Sequence, residues 1–209
     1  MDFQTNKMLG GIGALLLLIG VIASFSPAAG GLLNLIGLIL VLIALNGFAD
    51  YYKEKGIFNN ALYSIILSIV GVVIAIVIMF FVALEFFESI GIDMTNWQSF
   101  QSIDWISIMT PDRIMGLLGN LFIALVVLFV FFIVAALFLR KSLDLLATKT
   151  GVKMFGTTGL LFLIGAVLTI IFIGFILMLV GVILLMISFF SIKTPTSVIE
   201  TVQPPVQAN

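Results

Sequence analysis

An all-helical bundle embedded in a membrane is predicted by three observations: long apolar runs, a scarcity of charge, and a one-sided distribution of Lys and Arg. Of the 209 residues, 62% are hydrophobic and 9% are charged, and the mean hydropathy is +1.34. A soluble domain carries roughly 25% charged residues. The excess of apolar residues is too large for a core alone, so apolar side chains must also face lipid.

The apolar runs predict six membrane-spanning helices in three successive hairpins, at about residues 8–24, 32–49, 61–86, 114–139, 156–172 and 174–192. A span needs about 20 residues. As a single helix the stretch 156–192 would be about 55 Å long at 1.5 Å per residue. Two short helices joined by a tight turn near Ile173 and Gly174 are therefore expected, and five spans are the alternative.

Local signals mark the ends of these runs. Pro27 followed by Gly30 and Gly31 indicates a turn after the first run. We expect the first run to be a membrane-spanning helix rather than a cleaved signal peptide. In the polar segment Asp50–Asn60 that follows the second run, Gly56 is expected to be a helix stop, and Asn59 or Asn60 is expected to cap the third helix. Thr110-Pro111-Asp112 is typical of a helix start. An outer loop is expected at 87–113 and a disordered tail at 194–209.

The basic residues predict the orientation. With six spans, eight of the nine Lys and Arg fall on one side: Lys7, Lys53, Lys55, Arg140, Lys141, Lys149, Lys153 and Lys193. Arg113 lies on the other side, with Glu85, Glu88, Asp93, Asp104 and Asp112. By the positive-inside rule both termini are cytoplasmic. A five-span chain would move only Lys193, so charge supports the orientation more strongly than the sixth helix.

Composition also bears on the chemistry that the chain can perform. Cys and His are both absent, and the net charge is −1. Thiol, disulfide and imidazole chemistry are excluded, and no basic face is available for nucleic acid. No ionisable residue falls in the middle third of any predicted span, where coupled transporters and intramembrane enzymes keep such groups. We therefore expect no catalytic residue, cofactor or metal.

An internal repeat supports the sixth helix. The segment Lys7–Gly13 is similar to Lys153–Gly159, and Leu15–Gly20 matches Leu160–Gly165 after one skipped residue. Further on, Ile36–Leu40 is similar to Val180–Leu184. If the first hairpin has two helices, its copy at the other end should have two as well. Chance similarity between glycine-rich helices is the alternative.

Several junction motifs resemble a known family. The motifs are Ala44-Leu45-Asn46-Gly47-Phe48-Ala49-Asp50-Tyr51-Tyr52, Ile57-Phe58-Asn59-Asn60-Ala61, Arg140-Lys141-Ser142 and the stretch Ile164–Gly174. They resemble a mainly archaeal membrane family known as domain of unknown function 996, over most of residues 7–193. The resemblance implies an archaeal plasma membrane and supplies no activity.

Two sets of small residues are candidates for helix packing. The third run carries a stripe at spacings of three and four, namely Ala61, Ser64, Ser68, Gly71 and Ala75. The fourth run carries Gly116, Asn120 and Ala124 at four-residue spacing. Small residues let membrane helices approach closely. The stripe of the third run is expected to pack within the bundle, and a seam with a second copy or a partner is the alternative.

Three groups of polar or aromatic residues have two interpretations each. Asn34 and Asn120 fall in the same outer half, so a buried contact between them is expected, with a solute site as the alternative. Glu85 and Glu88 are expected to be a solvated interfacial pair rather than a cation site. In the outer loop, Trp97, Phe100 and Trp105 are expected to lie at the membrane surface, and they are the candidate recognition residues.

The sequence therefore predicts a non-catalytic protein of the plasma membrane. The favoured role is a scaffold or accessory subunit that acts through helix packing and the outer loop, as a homo-oligomer or with a membrane partner. The alternative is a passive channel for a small uncharged solute, lined by polar side chains that would have to converge on one axis: Asn34, Ser64, Ser68, Asn120 and Thr169.

Overall fold

The structure is a computed structural model that describes residues 2–23, 27–90 and 110–194. Within these ranges the chain forms six helices long and apolar enough to cross a membrane. They are α1 (Phe3–Ile22), α2 (Pro27–Tyr51), α3 (Gly56–Ser89), α4 (Pro111–Thr150), α5 (Met154–Leu168) with the short 3-10 turn Thr169–Ile171, and α6 (Ile173–Ser191). The all-helical, six-span prediction is confirmed, and the protein is a multi-pass membrane protein.

Two predicted boundaries are wrong because polar and proline residues were read as helix ends. The turn after α1 does not include Gly30 and Gly31, since α2 begins at Pro27, where proline is tolerated in the first turn. Gly56 is not a helix stop, and neither Asn59 nor Asn60 caps α3. That helix begins at Gly56, and the Asn60 side chain donates a 2.6 Å hydrogen bond to the Gly56 carbonyl.

The start of α4 matches its prediction. Thr110 has the extended backbone of an N-cap residue (φ −73°, ψ 151°), Pro111 is the first helical residue, and Asp112 is in the first turn. The missing N–H of proline costs nothing at this position, and the carboxylate favours the positive end of the helix dipole. α4 then runs for 40 residues to Thr150 and stops at Gly151, whose φ of 74° favours glycine.

The break between α5 and α6 lies where the sequence predicts it. The 3-10 turn leads to Phe172, whose φ of 62° reverses the chain. Gly174 follows, and a Cβ on it would lie 2.1 Å from the carbonyl oxygen of Gly165. The two short helices can therefore approach closely only because residue 174 has no side chain.

The six helices form a closed ring of three hairpins: hairpin 1 (α1–α2), hairpin 2 (α3–α4) and hairpin 3 (α5–α6). Each helix packs on its neighbours in chain order, and α6 packs back on α1. The smallest of these contacts is between α2 and α3. The ring is thus least tightly joined between hairpins 1 and 2.

The ring has a basic end and an acidic end. At the basic end, the Lys7 ammonium donates a 2.7 Å hydrogen bond to the Ile192 carbonyl, and Lys149 lies 3.4 Å from Glu54. The acidic end carries Glu85, Glu88 and Asp112, and Arg113 there donates to the Ser89 carbonyl at 3.2 Å. The predicted separation of charge is therefore present in the fold.

Aromatic side chains pack the core at the basic end. Phe48, Phe155 and Phe189, from α2, α5 and α6, are fully buried. The Phe189 ring lies 5.1 Å from Phe155 and 6.2 Å from Phe48, measured between ring centroids. Phe3 of α1 adds a perpendicular contact to Phe48 at 5.5 Å. This cluster joins hairpins 1 and 3.

The predicted repeat recurs in the packing of hairpins 1 and 3. Corresponding glycines lie against corresponding residues of the hairpin partner. The pairs are Gly20–Asn34 beside Gly165–Met178, and Gly37–Leu17 beside Gly181–Phe162. Because the contacts as well as the letters match, the two hairpins are packed in the same way.

Candidate functional site

No catalytic constellation is found in the part of the chain that the structure describes. Within residues 2–23, 27–90 and 110–194 there is no cluster of three or more Asp and Glu that could hold a metal ion. Glu85 and Glu88 are both exposed at the acidic end, as a solvated pair would be.

The small-residue stripe of α3 faces α4. Ala61 and Ser64 are 1% and 6% exposed, and Gly71 is buried; Ser68 and Ala75 are half-buried. A Cβ on Gly71 would lie 2.5 Å from the Cβ of Phe131 on α4. The stripe is therefore buried or half-buried along its length, and at Gly71 it approaches α4 closely.

The small residues of α4 divide into two kinds. Ala124 is 3% exposed and belongs to the packed side of the helix. Gly116 is exposed, and no other part of the described chain lies within 4 Å of its Cβ position. Asn120 is half-buried. Gly119, which the sequence analysis did not select, is equally open. The signal that could have found it is its spacing of three from Gly116.

The predicted contact between Asn34 and Asn120 is not formed. Asn34 lies against α1, where a Cβ on Gly20 would approach its Oδ1 to within 2.4 Å. Asn120 is on α4, and α3 lies between α2 and α4 in the ring. The prediction was wrong because a shared membrane depth does not make two helices neighbours.

Two buried polar side chains at the basic end were not anticipated. Ser142 is fully buried, and its hydroxyl donates a 2.5 Å hydrogen bond to the Ile57 carbonyl, joining α4 to the first turn of α3. Asn6 is 1% exposed, and its Oδ1 accepts no hydrogen bond from the described chain. Neither has a sequence signal, because a single Ser or Asn near a helix end is usually solvated.

Asn6 fills the space beside a glycine of α2. A Cβ on Gly47 would lie 2.2 Å from Oδ1 and 2.3 Å from Nδ2 of Asn6, so α1 and α2 can pack here only with glycine at 47. The Asn6 carboxamide thus lies directly behind the α2 backbone. Its unpartnered oxygen places a buried acceptor at this point of the helix.

A groove of about 370 Å³ lies on this part of α2 and is called the α2 groove below. It is lined by Ile43, Asn46, Gly47, Asp50 and Tyr51. Asn46, Asp50 and Tyr51 are all exposed. One turn of helix separates Asn46 from Asp50, so the two polar side chains lie on the same face.

Aromatic rings surround the same helix end. The Phe3 ring lies 4.7 Å from that of Tyr51, and Tyr51 meets Tyr52 at 5.0 Å in a perpendicular arrangement. Burial raises the pKa of the Tyr52 phenol above its usual value, with a smaller effect from Tyr51. Tyr52 therefore stays neutral at physiological pH and adds no charge beside Asp50.

The outer-loop candidates Trp97, Phe100 and Trp105 lie outside the described residues, as do residues 195–209 of the predicted tail. Both predictions stay predictions. The half-buried Thr169 donates its hydroxyl to the Gly165 carbonyl, and Ser68 to that of Ser64, so both hydroxyls bond within their own helices.

Comparisons with known proteins agree with the fold. Residues 33–183 match the family described as protein of unknown function (DUF996). An uncharacterised protein of Methanocaldococcus jannaschii is 30% identical over 192 residues, which cover 92% of this chain and 94% of that protein. No solved structure matches.

Proposed function

The chain belongs to the DUF996 family of proteins of unknown function, and from that premise we propose that it is a non-catalytic membrane scaffold or accessory subunit. Its outer surface on α4 would receive a membrane-spanning helix of a partner protein. The observation that carries this proposal is the open position of Gly116 and Gly119.

The use of glycine elsewhere in the bundle gives this observation its weight. Most glycines of the packed helices lie against a neighbouring helix, as in Gly13, Gly37, Gly71, Gly165 and Gly174, and Gly31 at the start of α2 is an exception. No part of the described chain lies within 4 Å of the Cβ positions of Gly116 and Gly119, although glycine in a helix interior costs about 0.5–1 kcal/mol relative to alanine. A second helix that packs on this face would give both glycines the role that the others have.

Asn120 supports the same surface. It is half-buried, one turn from Gly116, and lies within the apolar part of α4. An asparagine at this depth is stabilised by hydrogen bonding across to another helix. A partner helix that approaches over Gly116 would bring such a group within reach.

The arrangement of polar residues supports a passive channel less well. A channel requires polar side chains to converge on one axis, whereas Asn34 lies against α1, and the hydroxyls of Ser68 and Thr169 bond within their own helices. At the basic end the core is filled by buried phenylalanines. A scaffold needs no such path.

The proposal includes an orientation, with the basic end in the cytoplasm and the protein in the plasma membrane. The support is the positive-inside rule applied to the basic end. The chain has no native cysteine, so a cysteine in place of Thr148 should react with an impermeant reagent only from the cytoplasm. One in place of Ser89 should react only from outside, and the reverse pattern would invert the assignment.

Purification from native membranes in mild detergent, followed by mass spectrometry, tests the role. We expect a partner protein at fixed stoichiometry that is lost when Gly116 and Gly119 are both replaced by leucine. Gly31→Leu on α2 is the matched control, because Gly31 is also exposed and no described residue lies within 4 Å of its Cβ position.

The other results of this purification are equally informative. Retention of the partner by the double variant would move the interface away from α4. A homo-oligomer that the double variant disrupts would make the partner helix a second copy of this chain. Purification of the protein alone would contradict the accessory role and would make solute flux in liposomes the next measurement.

A further inference from the structure

We propose that the α2 groove binds a primary ammonium group, such as that of an ethanolamine headgroup. The proposal is independent of the role of α4. It stands on the groove itself, on the exposed pair Asn46 and Asp50, and on the Tyr51 ring beside them.

The position of the groove selects a ligand of the membrane interface. It lies at the last two turns of α2, which ends at Tyr51 at the basic end. Asn46 lies about 6 Å further into the membrane than Asp50, at 1.5 Å per residue. Polar side chains that face outward at this depth need polar groups to cover them, and lipid headgroups are present there beside water.

The chemistry of the lining selects a cation with hydrogen-bond donors. Asp50 supplies a carboxylate and forms no ion pair with any residue in the described ranges, where Lys7 bonds to the Ile192 carbonyl and Lys149 pairs with Glu54. Asn46 supplies an amide oxygen one turn away. A primary ammonium has three N–H donors and matches two acceptors on one face.

The Tyr51 ring completes this set. It lines the groove, is 48% exposed, and is held by its contact with Phe3. The face of an aromatic ring attracts an ammonium group. Asn6 lies on the other side of Gly47 and does not line the groove. The ligand would therefore be held by the Asp50 carboxylate, the Asn46 amide oxygen and the Tyr51 ring.

Native mass spectrometry of the full-length protein in detergent tests the proposal. The probes are phosphatidylethanolamine, its N-acetylated form and phosphatidylglycerol, all with the same acyl chains. We expect the ethanolamine lipid to bind about tenfold more tightly than either of the others, because only it can form charge-assisted hydrogen bonds with Asp50. Equal binding of the three lipids to the wild-type protein would overturn the proposal without any variant.

Two variants locate the site. Asp50→Asn should reduce the preference for the ethanolamine lipid about tenfold, whereas Glu88→Gln, which neutralises an exposed carboxylate at the acidic end, should leave it unchanged. A preference that persists in Asp50→Asn would place the amine elsewhere and overturn the assignment. Asn46→Leu should weaken the preference for the ethanolamine lipid severalfold. An unchanged preference in Asn46→Leu would contradict the two-acceptor geometry.

Soluble ethanolamine separates the two sources of the ammonium group. If millimolar ethanolamine displaces the lipid, the groove recognises the free amine, and a small soluble amine is the ligand class. If it does not, the acyl chains are required and the ligand is a membrane lipid. Both results support an ammonium site, because each is read only after the three-lipid comparison has shown the preference.

Discussion

The basic and acidic ends of the bundle contrast in how their side chains are used. At the basic end Phe189 is fully buried against rings from α2 and α5, while Phe81 in the acidic half of α3 is 64% exposed. Both are phenylalanines in long apolar helices. Apolarity therefore places a residue in the membrane, and only its neighbours decide whether it stabilises the fold.

The contrast has a physical cause in helix length. α3 and α4 have 34 and 40 residues, so they are about 51 and 60 Å long, whereas α5 and α6 have 15 and 19. All six helices meet at the basic end. Toward the acidic end, hairpin 3 stops before hairpin 2 does, and the outer parts of α3 and α4 lose neighbours.

The largest effect should come from removing a ring at the basic end. Phe189→Ala should lower the free energy of unfolding by about 2–4 kcal/mol, because it leaves a cavity between α2, α5 and α6 that lipid cannot fill. Unfolding in mixed micelles of increasing SDS content measures this. Phe81→Ala is the control, with an expected change below about 0.5 kcal/mol; similar losses in both variants would contradict the contrast.

Adding a methyl group tests close helix approach. A Cβ on Gly13 would lie 2.8 Å from the Gly37 carbonyl oxygen, which is backbone and cannot rotate away. Gly13→Ala should therefore destabilise the protein by about 1–3 kcal/mol. Gly119→Ala has open space and should instead stabilise the monomer by about 0.5–1 kcal/mol. The same unfolding assay measures both, and two changes of the same sign would refute the packing argument.

A smaller effect is expected from the buried hydroxyl that joins α4 to α3. Ser142→Ala removes the hydrogen bond to the Ile57 carbonyl and should cost about 0.5–1.5 kcal/mol. Ser191→Ala removes an exposed hydroxyl that bonds within α6 and should cost little. If the two variants unfold at the same SDS fraction, the interhelical bond contributes nothing measurable.

The smallest effect should come from the surface ion pair at the basic end. The Lys149 Nζ and Glu54 Oε2 atoms are 3.4 Å apart, and the two side chains are 38% and 33% exposed. Solvent screens such a pair, so Lys149→Gln should change stability by less than about 0.5 kcal/mol, and salt should abolish the difference. A larger change that persists at high salt would mean that the Lys149–Glu54 pair is buried and contributes to packing at the basic end.

Much of the fold could be predicted because its signals are local. The start of α4 at Pro111 and the break before Gly174 follow from backbone rules at single positions. The repeat was visible as glycines at matching places. Errors arose where a residue has two uses: Asn60 looks like a cap but lies within α3, and Pro27 begins a helix that the sequence analysis started at residue 32.

The candidate sites were less predictable because they depend on which helices meet. Asn46 and Asp50 belong to the motif that carried the family resemblance, yet nothing in their spacing distinguishes a groove from a solvated helix end. Asn6 acquires meaning only because α1 crosses α2 at Gly47. Asn34 and Asn120 share a depth, but the ring order separates their helices.

The sequence by itself determined the class, the six helices and the separation of charge, because each depends on the transfer of residues between water and lipid. The tertiary structure decided which small residues are packed and which are open. Gly71 and Gly116 are alike in the sequence, and one contacts Phe131 while the other contacts nothing in the described chain. Lipid is as apolar as a helix surface, so hydrophobicity cannot rank the faces of a membrane helix; only the shape of a neighbour does.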